Sequence, residues 1–254
     1  MSGPLDAFRL DDRVVVITGA SSGLGLGFAR AVAAVGGILV LGARRVERLH
    51  EVAEELRAHG ATVLVQATDV TVPEQCQALV DAAVADHGRV DVLVNNAGLG
   101  GSVPALRETP DAFRQVIDVN VNGSFWMAQA CARVMPAGSS IVNVASVHGV
   151  VASRFPGASY AASKAGVIGL TRDLAQQWSR RKGIRVNALC PGYFASEMTA
   201  TGEDKLRDMV AEHSLLGRFG EQPEVDAALL FLASSASSYV TGTTLLVDGG
   251  LSAI

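Results

Sequence analysis

The sequence is poor in cysteine, and this shortage excludes two classes of protein. Only three cysteines occur in 254 residues, at distant positions and with no cysteine or histidine at metal-binding spacing. A disulfide framework would need an even and denser set, and a zinc site would need clustered ligands. We therefore expect no metal and predict that Cys76, Cys131 and Cys190 are buried free thiols in a reducing compartment.

The chain also lacks an excess of charge of either sign. Its 21 Lys and Arg residues against 25 Asp and Glu residues give a net charge of -4, and the basic residues are dispersed. This pattern carries no electrostatic footprint of nucleic-acid binding. We expect a small-molecule ligand rather than nucleic acid.

Long hydrophobic runs of the membrane kind are missing as well. Residues 227–247 carry no charge, but clusters of Ser, Thr and Gly divide them into a helix, a loop and a strand. The first 13 residues contain no apolar core of a secretion signal. We therefore predict a protein of the cytoplasm without membrane contact.

What the chain does contain is a regular alternation of apolar strands and helical segments. Hydrophobic residues make up 49% of it, enough for a sizeable core, and strands are predicted near residues 13, 38, 62, 91, 139, 184 and 243. Helix-length intervals between strands favour a parallel sheet. The prediction is one α/β domain over residues 1–254: a doubly wound, Rossmann-type fold with a seven-stranded, mainly parallel sheet, strand order 3-2-1-4-5-6-7, and helices on both faces.

A glycine-rich turn follows the first predicted strand and opens a helix. Gly19 would permit a tight turn, Gly23 the approach of backbone to a pyrophosphate, and Gly25 the packing of helix on strand. The hydroxyls of Ser21 and Ser22 add donors. The spacing differs from the standard Gly-x-Gly-x-x-Gly fingerprint, so the alternative is a flexible turn. Its position between a strand and a helix favours dinucleotide binding.

The second predicted strand, residues 38–42, ends where such folds meet the adenosine ribose. A carboxylate there would accept a hydrogen bond from the 2′-hydroxyl of NAD, but this chain has Ala43 followed by Arg44 and Arg45. Guanidinium groups suit a 2′-phosphate, which favours NADP. The alternative is that both arginines are solvated residues opening the helix predicted over residues 46–59.

Tyr160 and Lys164 are four residues apart, and this spacing puts them on one face of a helix. A fixed ammonium near a phenol stabilises phenolate and would pull the pKa of Tyr160 down toward the range of efficient proton transfer. Tyr160 is thus a candidate general acid and base. An exposed helical pair is the alternative.

Five motifs in one order make the chain resemble the short-chain dehydrogenase/reductase family over nearly all of its length. They are Thr18-Gly19-x-x-x-Gly23-x-Gly25, Asn95-Asn-Ala-Gly98, Ser146, Tyr160-x-x-x-Lys164 and Pro191-Gly192.

The resemblance implies a catalytic set. Tyr160 matches the tyrosine that exchanges a proton with the substrate oxygen, and Lys164 the lysine that lowers its pKa and binds the nicotinamide ribose. Ser146 matches the serine that steadies the substrate oxygen. Asn120 matches the asparagine of a proton relay, with Asn122 as the competing candidate.

The resemblance also implies a cofactor site. Asp69 matches the residue that contacts the adenine amine, and residues 191–198 match the segment that holds the nicotinamide amide. Many NADP-using relatives have a basic residue where this chain has Ser22, so NADP preference depends on Arg44, with Arg45 second. The predicted cofactor-binding residues are Gly19, Ser21, Ser22, Gly23, Leu24, Gly25, Arg44, Arg45, Asp69, Val70, Asn96, Ala97, Gly98, Tyr160, Lys164, Pro191, Gly192, Phe194, Ser196 and Met198.

The function that the resemblance implies is an NADP(H)-preferring oxidoreductase that interconverts a ketone and a secondary alcohol. Over its whole length the chain most resembles reductases of 3-oxoacyl thioesters and dehydrogenases of sugar acids such as gluconate. The alternatives are an NAD-dependent secondary alcohol dehydrogenase and a dinucleotide-sensing binding protein without catalysis. A homotetramer is implied, with contacts through helices over residues 110–135 and 159–182 and through the C-terminal strand. The alternative for the small residues that would allow close helix approach is ordinary packing within one subunit; they are Ala128, Ala132, Ala161, Ala165 and Gly169.

Two residues near the predicted catalytic set are candidates for substrate contact. Arg154 would pair with an acidic substrate, and its alternative is an exposed loop residue. His148 would line the pocket and hydrogen-bond a substrate oxygen, and its alternative is polar surface.

Overall fold

The computed structural model describes residues 3–152, 154–194 and 203–253. Seven strands form where β-branched and aliphatic residues run together, because such side chains suit a pleated, buried surface. The strands are β1 Val14–Thr18, β2 Ile38–Ala43, β3 Val63–Ala67, β4 Val92–Asn95, β5 Ser140–Val144, β6 Arg185–Pro191 and β7 Thr244–Val247.

Helices alternate with the strands, and most connections are short. The α-helices are α1 Gly23–Ala34, α2 Val46–Ala58, α3 Pro73–His87, α4 Pro110–Ile117, α5 Gly123–Val134, α6 Ala158–Lys182, α7 Glu203–His213 and α8 Gln222–Ala233. Short 3-10 turns lie at Pro4–Phe8, Val147–Gly149, Ser235–Ser237 and Leu251–Ala253.

The seven strands form one sheet in the order β3-β2-β1-β4-β5-β6-β7. Every neighbouring pair is parallel; Val16, for example, is in register with Val40 on one side and Leu93 on the other. The predicted order is therefore confirmed, and the sheet is parallel throughout the described strands. The strand order reverses between β1 and β4, and sheets of this kind bind ligands outside the carboxyl ends of the strands at such a point.

Alternate side chains of the central strands enter two hydrophobic cores. Val15 and Ile17 of β1 pack with Phe28 of α1 and the buried residues of α2 and α8. Val14 and Val16 face the other side, with α3, α5 and α6. Each fully buried aliphatic or aromatic side chain of this kind contributes roughly 1.5–3 kcal/mol. The prediction of helices on both faces is confirmed.

The long helix predicted over residues 110–135 is wrong in one respect, because a π-helical segment, Asp118–Asn122, interrupts it between α4 and α5. The N–H of Gly123 donates to the carbonyl of Asp118, five residues back, so the turn carries one extra residue. Gly123 lies against Val70, where an added Cβ would come within 2.6 Å of a methyl group. Asn120 lies in this segment.

A chain of buried polar side chains connects the central strands to the two helices beside them. Asn95 Nδ2 donates to the Ser124 carbonyl and to Asn143 Oδ1, both at 2.9 Å. Asn143 Nδ2 donates to Thr171 Oγ1 at 2.9 Å, and Thr171 Oγ1 donates to the Val167 carbonyl at 2.8 Å. Because buried amides are costly without partners, these bonds fix α5 and α6 on β4 and β5.

The predicted thiols are confirmed as buried and free: Cys76, Cys131 and Cys190 form no disulfide. Burial raises the pKa of Cys76 and of Cys190 to about 11. None of the helices within the described ranges has the length and apolarity needed to cross a membrane.

Candidate active site

An elongated cavity of about 730 Å³ opens at the carboxyl ends of the strands. It extends from the turn after β1 and the end of β2, past the loop after β4, to the ends of β5 and β6 and the start of α6. One continuous cavity can therefore hold a long ligand whose two ends meet different side chains. Its size is in the range of ligand pockets.

The glycine turn forms one end of the cavity. Gly19 and Gly23 have φ values of +66° and +55°, in the left-handed region that favours glycine. A Cβ on Gly19 would come within 2.8 Å of the Ala97 Cα. Ser22 precedes α1 as its N-cap and makes no side-chain capping bond, and Gly23 and Leu24 of the first turn line the cavity. The backbone N–H groups of this turn and the helix dipole fit the pyrophosphate of a dinucleotide.

Gly25 and Asn96 differ from the other predicted cofactor residues, because both support the turn from behind. Gly25 does not line the cavity, and a Cβ there would lie 2.4 Å from the Gly19 carbonyl oxygen. Asn96 lines the wall, but its Nδ2 donates to the carbonyls of Thr18 at 3.0 Å and Gly19 at 3.2 Å. Both residues hold the turn in its open shape.

The arginines after β2 lie at the same end. Arg45 reaches back to the glycine turn, where its Nη2 lies 2.6 Å from Ser22 Oγ and 3.3 Å from Ser21 Oγ. Arg44 lines the cavity as well, and its charge acts on Asp69. This end of the cavity therefore carries two guanidinium groups next to the glycine turn.

Asp69 faces Arg44 from the end of β3. Burial opposes its ionisation, but hydrogen bonds from Thr71 and the nearby charge of Arg44 outweigh that cost and hold the pKa of Asp69 below its usual value. Its Oδ1 accepts from the Thr71 backbone N–H at 3.0 Å and from the Thr71 hydroxyl at 2.8 Å. Asp69 is therefore a fixed carboxylate on the cavity wall.

Ser146, Tyr160 and Lys164 meet at the other end. Ser146 follows β5, and both of the others lie in the first two turns of α6. Tyr160 hydrogen-bonds with the Ser146 side chain, and the Lys164 Nζ lies 5.6 Å from the Tyr160 ring centroid. Lys164 is only 5% exposed, and its Nζ donates to the Val144 carbonyl at 2.8 Å. The helical spacing thus puts phenol and ammonium on one face.

The expected downward shift of the tyrosine pKa is not observed. Burial raises the pKa of Tyr160, although the hydrogen bond with Ser146 lowers it in part. Burial also lowers the pKa of Lys164 to about 8, because desolvation penalises its charged form. Removal from water therefore has the largest effect on the pKa of both groups. Lys164 remains mainly protonated at pH 7.

Asn120, rather than Asn122, lies beside these residues. Its Oδ1 accepts from the Leu99 N–H at 2.7 Å, and its Nδ2 donates to the Leu99 carbonyl and to Ser163 Oγ, both at 2.9 Å. A Cβ on Gly98 would lie 3.3 Å from Asn120 Oδ1 and 3.5 Å from Lys164 Nζ. Asn122 instead donates to Asp118 Oδ1.

His148 lines the cavity, whereas Arg154 is exposed and does not. The His148 Nε2 lies 3.1 Å from the Tyr193 hydroxyl. The substrate contact considered for Arg154 therefore has no support in its position. The cavity also meets the predicted residues Val70, Ala97, Gly98, Pro191, Gly192 and Phe194. The predicted residues Ser196 and Met198 lie outside the described residues.

Some wall residues carry no signal in the sequence beyond their nearness to a motif. Residues 99–102 continue the loop after β4, and residues 155–157 precede α6. Both segments border the end of the cavity where Ser146, Tyr160 and Lys164 meet, called the reacting end below, as does Leu206 of α7. Among the described residues, no group of three or more His, Cys, Asp or Glu side chains could hold a metal ion.

The chain matches known proteins over nearly its full length. A family model described as enoyl-(acyl carrier protein) reductase matches residues 19–252. A galactitol 2-dehydrogenase (L-tagatose-forming) of Cereibacter sphaeroides is 46% identical over 249 residues, which are 96% of this chain and 96% of the relative. A 3-oxoacyl-[acyl-carrier-protein] reductase of Thermotoga maritima is 39% identical over 246 residues, 96% of this chain and 99% of the relative.

A solved structure has the same fold. A gluconate 5-dehydrogenase from Burkholderia cenocepacia, in complex with NADP and tartrate, superposes with a TM-score of 0.92 at 36% identity, covering 99% of this chain and 100% of that one.

The contacts of Asn120 predict a measurable effect on the loop after β4. In Asn120→Ala, the Leu99 amide loses its acceptor and should exchange its hydrogen roughly 3- to 10-fold faster, as expected for one lost hydrogen bond. Hydrogen exchange measured by mass spectrometry or NMR would detect this. Asn122→Ala is the matched control, and an equal increase in both variants would contradict the assignment.

Proposed function

Since the chain belongs to the short-chain dehydrogenase/reductase family of oxidoreductases, we propose that it interconverts a ketone and a secondary alcohol with NADP(H), as one dinucleotide-binding domain. The observation that carries this proposal is the hydrogen-bonded pair of Ser146 and Tyr160, with Lys164 beside it, in a cavity that continues to the glycine turn.

Tyr160 serves as the acid in ketone reduction. A bound nicotinamide supplies the hydride to the carbonyl carbon, or accepts it in the reverse direction. The Tyr160 hydroxyl gives its proton to the carbonyl oxygen, and a raised pKa keeps this proton in place until the oxygen becomes basic. Ser146, hydrogen-bonded to the same hydroxyl, orients the substrate oxygen toward it.

Lys164 and Asn120 act around this proton transfer. With a pKa lowered to about 8, Lys164 carries a proton that it can lose and regain near neutral pH, which suits a relay to Tyr160. Asn120 holds the Leu99 backbone next to Lys164 through two hydrogen bonds. The loop beside the reacting groups is thereby kept in position.

The proposed preference for NADP over NAD rests on the positive charges at one end of the cavity. Arg44 and Arg45 give the adenosine end two guanidinium groups, and Arg45 contacts the hydroxyl of Ser22, the position at which many NADP-using relatives have a basic residue. The gluconate 5-dehydrogenase similar to this chain was solved with NADP. An NAD-dependent alcohol dehydrogenase is the alternative in which neither arginine meets the cofactor.

The relatives suggest candidate substrate classes. Their names cover a 3-oxoacyl thioester, a sugar acid and a polyol. We propose a ketone of the 3-oxoacyl-thioester or keto-sugar-acid kind as the starting point for assays.

A binding protein without catalysis is disfavoured, because Asn120, Ser146, Tyr160 and Lys164 are all present and in contact or close to one another.

The homotetramer and the cytoplasmic location stay predictions. Of the small residues considered for subunit contact, Ala128 and Ala132 are buried within the subunit, whereas Ala165 and Gly169 of α6 are exposed. A Cβ on Gly169 would meet no atom within 4 Å. The outer face of α6 therefore allows close approach of a second helix.

Tyr160→Phe removes the proposed acid and keeps the ring. We expect turnover to fall roughly 10²- to 10⁴-fold, the usual contribution of a general acid. The test measures initial oxidation rates of NADPH and NADH with pooled 3-oxoacyl thioesters, keto-sugar acids and simple ketones, together with cofactor affinity. Tyr239→Phe, an exposed tyrosine, is the control. Turnover near the wild-type rate in Tyr160→Phe would refute the mechanism.

Arg44→Ala and Arg45→Ala test the cofactor. Each should lower the ratio of kcat/KM with NADPH to kcat/KM with NADH roughly 10- to 100-fold, because a charge-assisted bond to a phosphate is lost. Arg48→Ala, in the first turn of α2 and outside the cavity wall, should leave the ratio unchanged. An unchanged ratio in both test variants would favour the NAD-dependent alternative.

Gly169→Glu tests the assembly. The new side chain has room within the subunit but would obstruct a second copy of α6 and add like charges across the contact. Sedimentation velocity should show a tetramer for the wild type and smaller species for the variant. Ala85→Glu, on the exposed face of α3, should remain tetrameric. A monomeric wild type would contradict the prediction.

A further inference from the structure

The reacting end of the cavity has a wall that the proposed mechanism does not use. His148 lies in the short turn after Ser146, and Tyr193 follows Pro191 and Gly192 at the end of β6. Both line the same cavity as Tyr160. The His148 ring meets Tyr160 edge-on at 6.2 Å between centroids and Tyr193 at 5.4 Å. His148 therefore lies between the proposed acid and a second tyrosine.

The two side chains form a polar pair on this wall. The His148 Nε2 lies 3.1 Å from the Tyr193 hydroxyl, a hydrogen bond in either tautomer. The remaining neighbours at this end include Gly101, Phe155 and Leu206, which offer little polarity. The pair is thus a localised donor and acceptor beside the reacting groups.

The pair is held in place before any ligand binds. The Tyr193 ring stacks on Phe219, with centroids 6.2 Å apart and planes at 24°. The Tyr193 carbonyl accepts from the Gly220 N–H at 2.9 Å, and the His148 N–H donates to Ser146 Oγ at 3.2 Å. Groups fixed in this way lose little freedom when a substrate binds.

The charge at this end is low. Burial lowers the pKa of His148, which keeps the imidazole neutral at pH 7. In the part of this wall that the structure describes, Lys164 is the only Lys or Arg, and its Nζ is bonded to Val144. The Arg207 guanidinium lies over the outer ring of Phe219, 5.4 Å from its centroid. Among the wall residues that the structure describes at this end, none offers a guanidinium to a carboxylate or phosphate, whereas a hydroxyl group matches a neutral histidine and tyrosine.

We propose that His148 and Tyr193 bind a second hydroxyl group of the substrate, close to the carbon that reacts, and that the substrate is an uncharged polyhydroxylated molecule such as a polyol or its ketose. This inference rests on the proposed interconversion of a ketone and a secondary alcohol, and it replaces the 3-oxoacyl-thioester and keto-sugar-acid classes, proposed as the starting point for assays, with an uncharged polyhydroxylated class. Tyr160 and Ser146 hold the reacting oxygen, and the His148–Tyr193 pair holds its neighbour. Two oxygens held at fixed points orient the reacting carbon.

The test compares ketones that differ by one hydroxyl group. Butan-2-one is reduced alongside 3-hydroxybutan-2-one and 4-hydroxybutan-2-one, with NADPH and NADH. In Tyr193→Phe the ratio of kcat/KM for the better hydroxyketone to kcat/KM for butan-2-one should fall roughly tenfold, as for one lost hydrogen bond. The phenylalanine keeps the ring that stacks on Phe219.

Variants of His148 supply an independent readout. His148→Ala should lower the same ratio, and His148→Gln, which keeps an amide near the position of Nε2, should restore it in part. Tyr239→Phe should not change it. If Tyr193→Phe slows all three ketones equally, the residue has only a structural role and the inference fails. A wild-type preference for the anion 3-oxobutanoate over the hydroxyketones would also overturn it.

The experiment separates this inference from the function on which it rests. Tyr160→Phe should abolish reduction of every ketone. If it does so while the hydroxyl ratio is unaffected by His148 and Tyr193, the oxidoreductase function stands and the recognition pair is refuted. If Tyr160→Phe reduces the ketones at wild-type rates, the proposed function itself is refuted. If the wild type reduces none of the three ketones but reduces the pooled 3-oxoacyl thioesters or keto-sugar acids, the function stands and the inference fails; if it reduces neither set, both fail.

Discussion

The geometry at the reacting end depends on where helix α6 lies against the sheet, and buried amides determine that position. Asn143 of β5 lies between Asn95 of β4 and Thr171 of α6, and each bond is made away from water. Hydrophobic contact alone would let a helix slide or rotate on a smooth apolar surface, because such contact has no direction. The directional bonds give α6 one position, which places Tyr160 and Lys164 at the ends of the strands.

Removal from water then determines how these groups behave. The same burial raises the pKa of Tyr160 and lowers that of Lys164, since each neutral form is favoured. The end of the cavity beside the glycine turn carries the guanidinium groups of Arg44 and Arg45 and the carboxylate of Asp69, whereas the reacting end carries the buried ammonium of Lys164.

Much of this architecture could be predicted from the sequence, because its signals are local. Runs such as Val14–Thr18 identify strands, and the glycine turn and the Tyr160–Lys164 spacing locate both ends of the site. The remainder depends on contacts between distant segments. The π-helical segment around Asn120 leaves no mark on hydrophobic periodicity, and the pKa of Tyr160 depends on burial rather than on its helical neighbour. The contact between Arg45 and Ser22 joins residues 23 positions apart in the sequence.

That contact means that a positive charge absent from one position of a motif can be supplied by a residue from a distant part of the sequence. Arg45 brings a guanidinium to Ser22 from another element, so motif comparison at Ser22 alone would assign the wrong electrostatics to the turn. The same side chain braces the turn, because it also reaches the hydroxyl of Ser21. Under the proposed function, discrimination between cofactors and rigidity of the glycine turn thus share one residue. An engineer who wished to change the first would have to rebuild the second, for example by supplying another donor to the two serines.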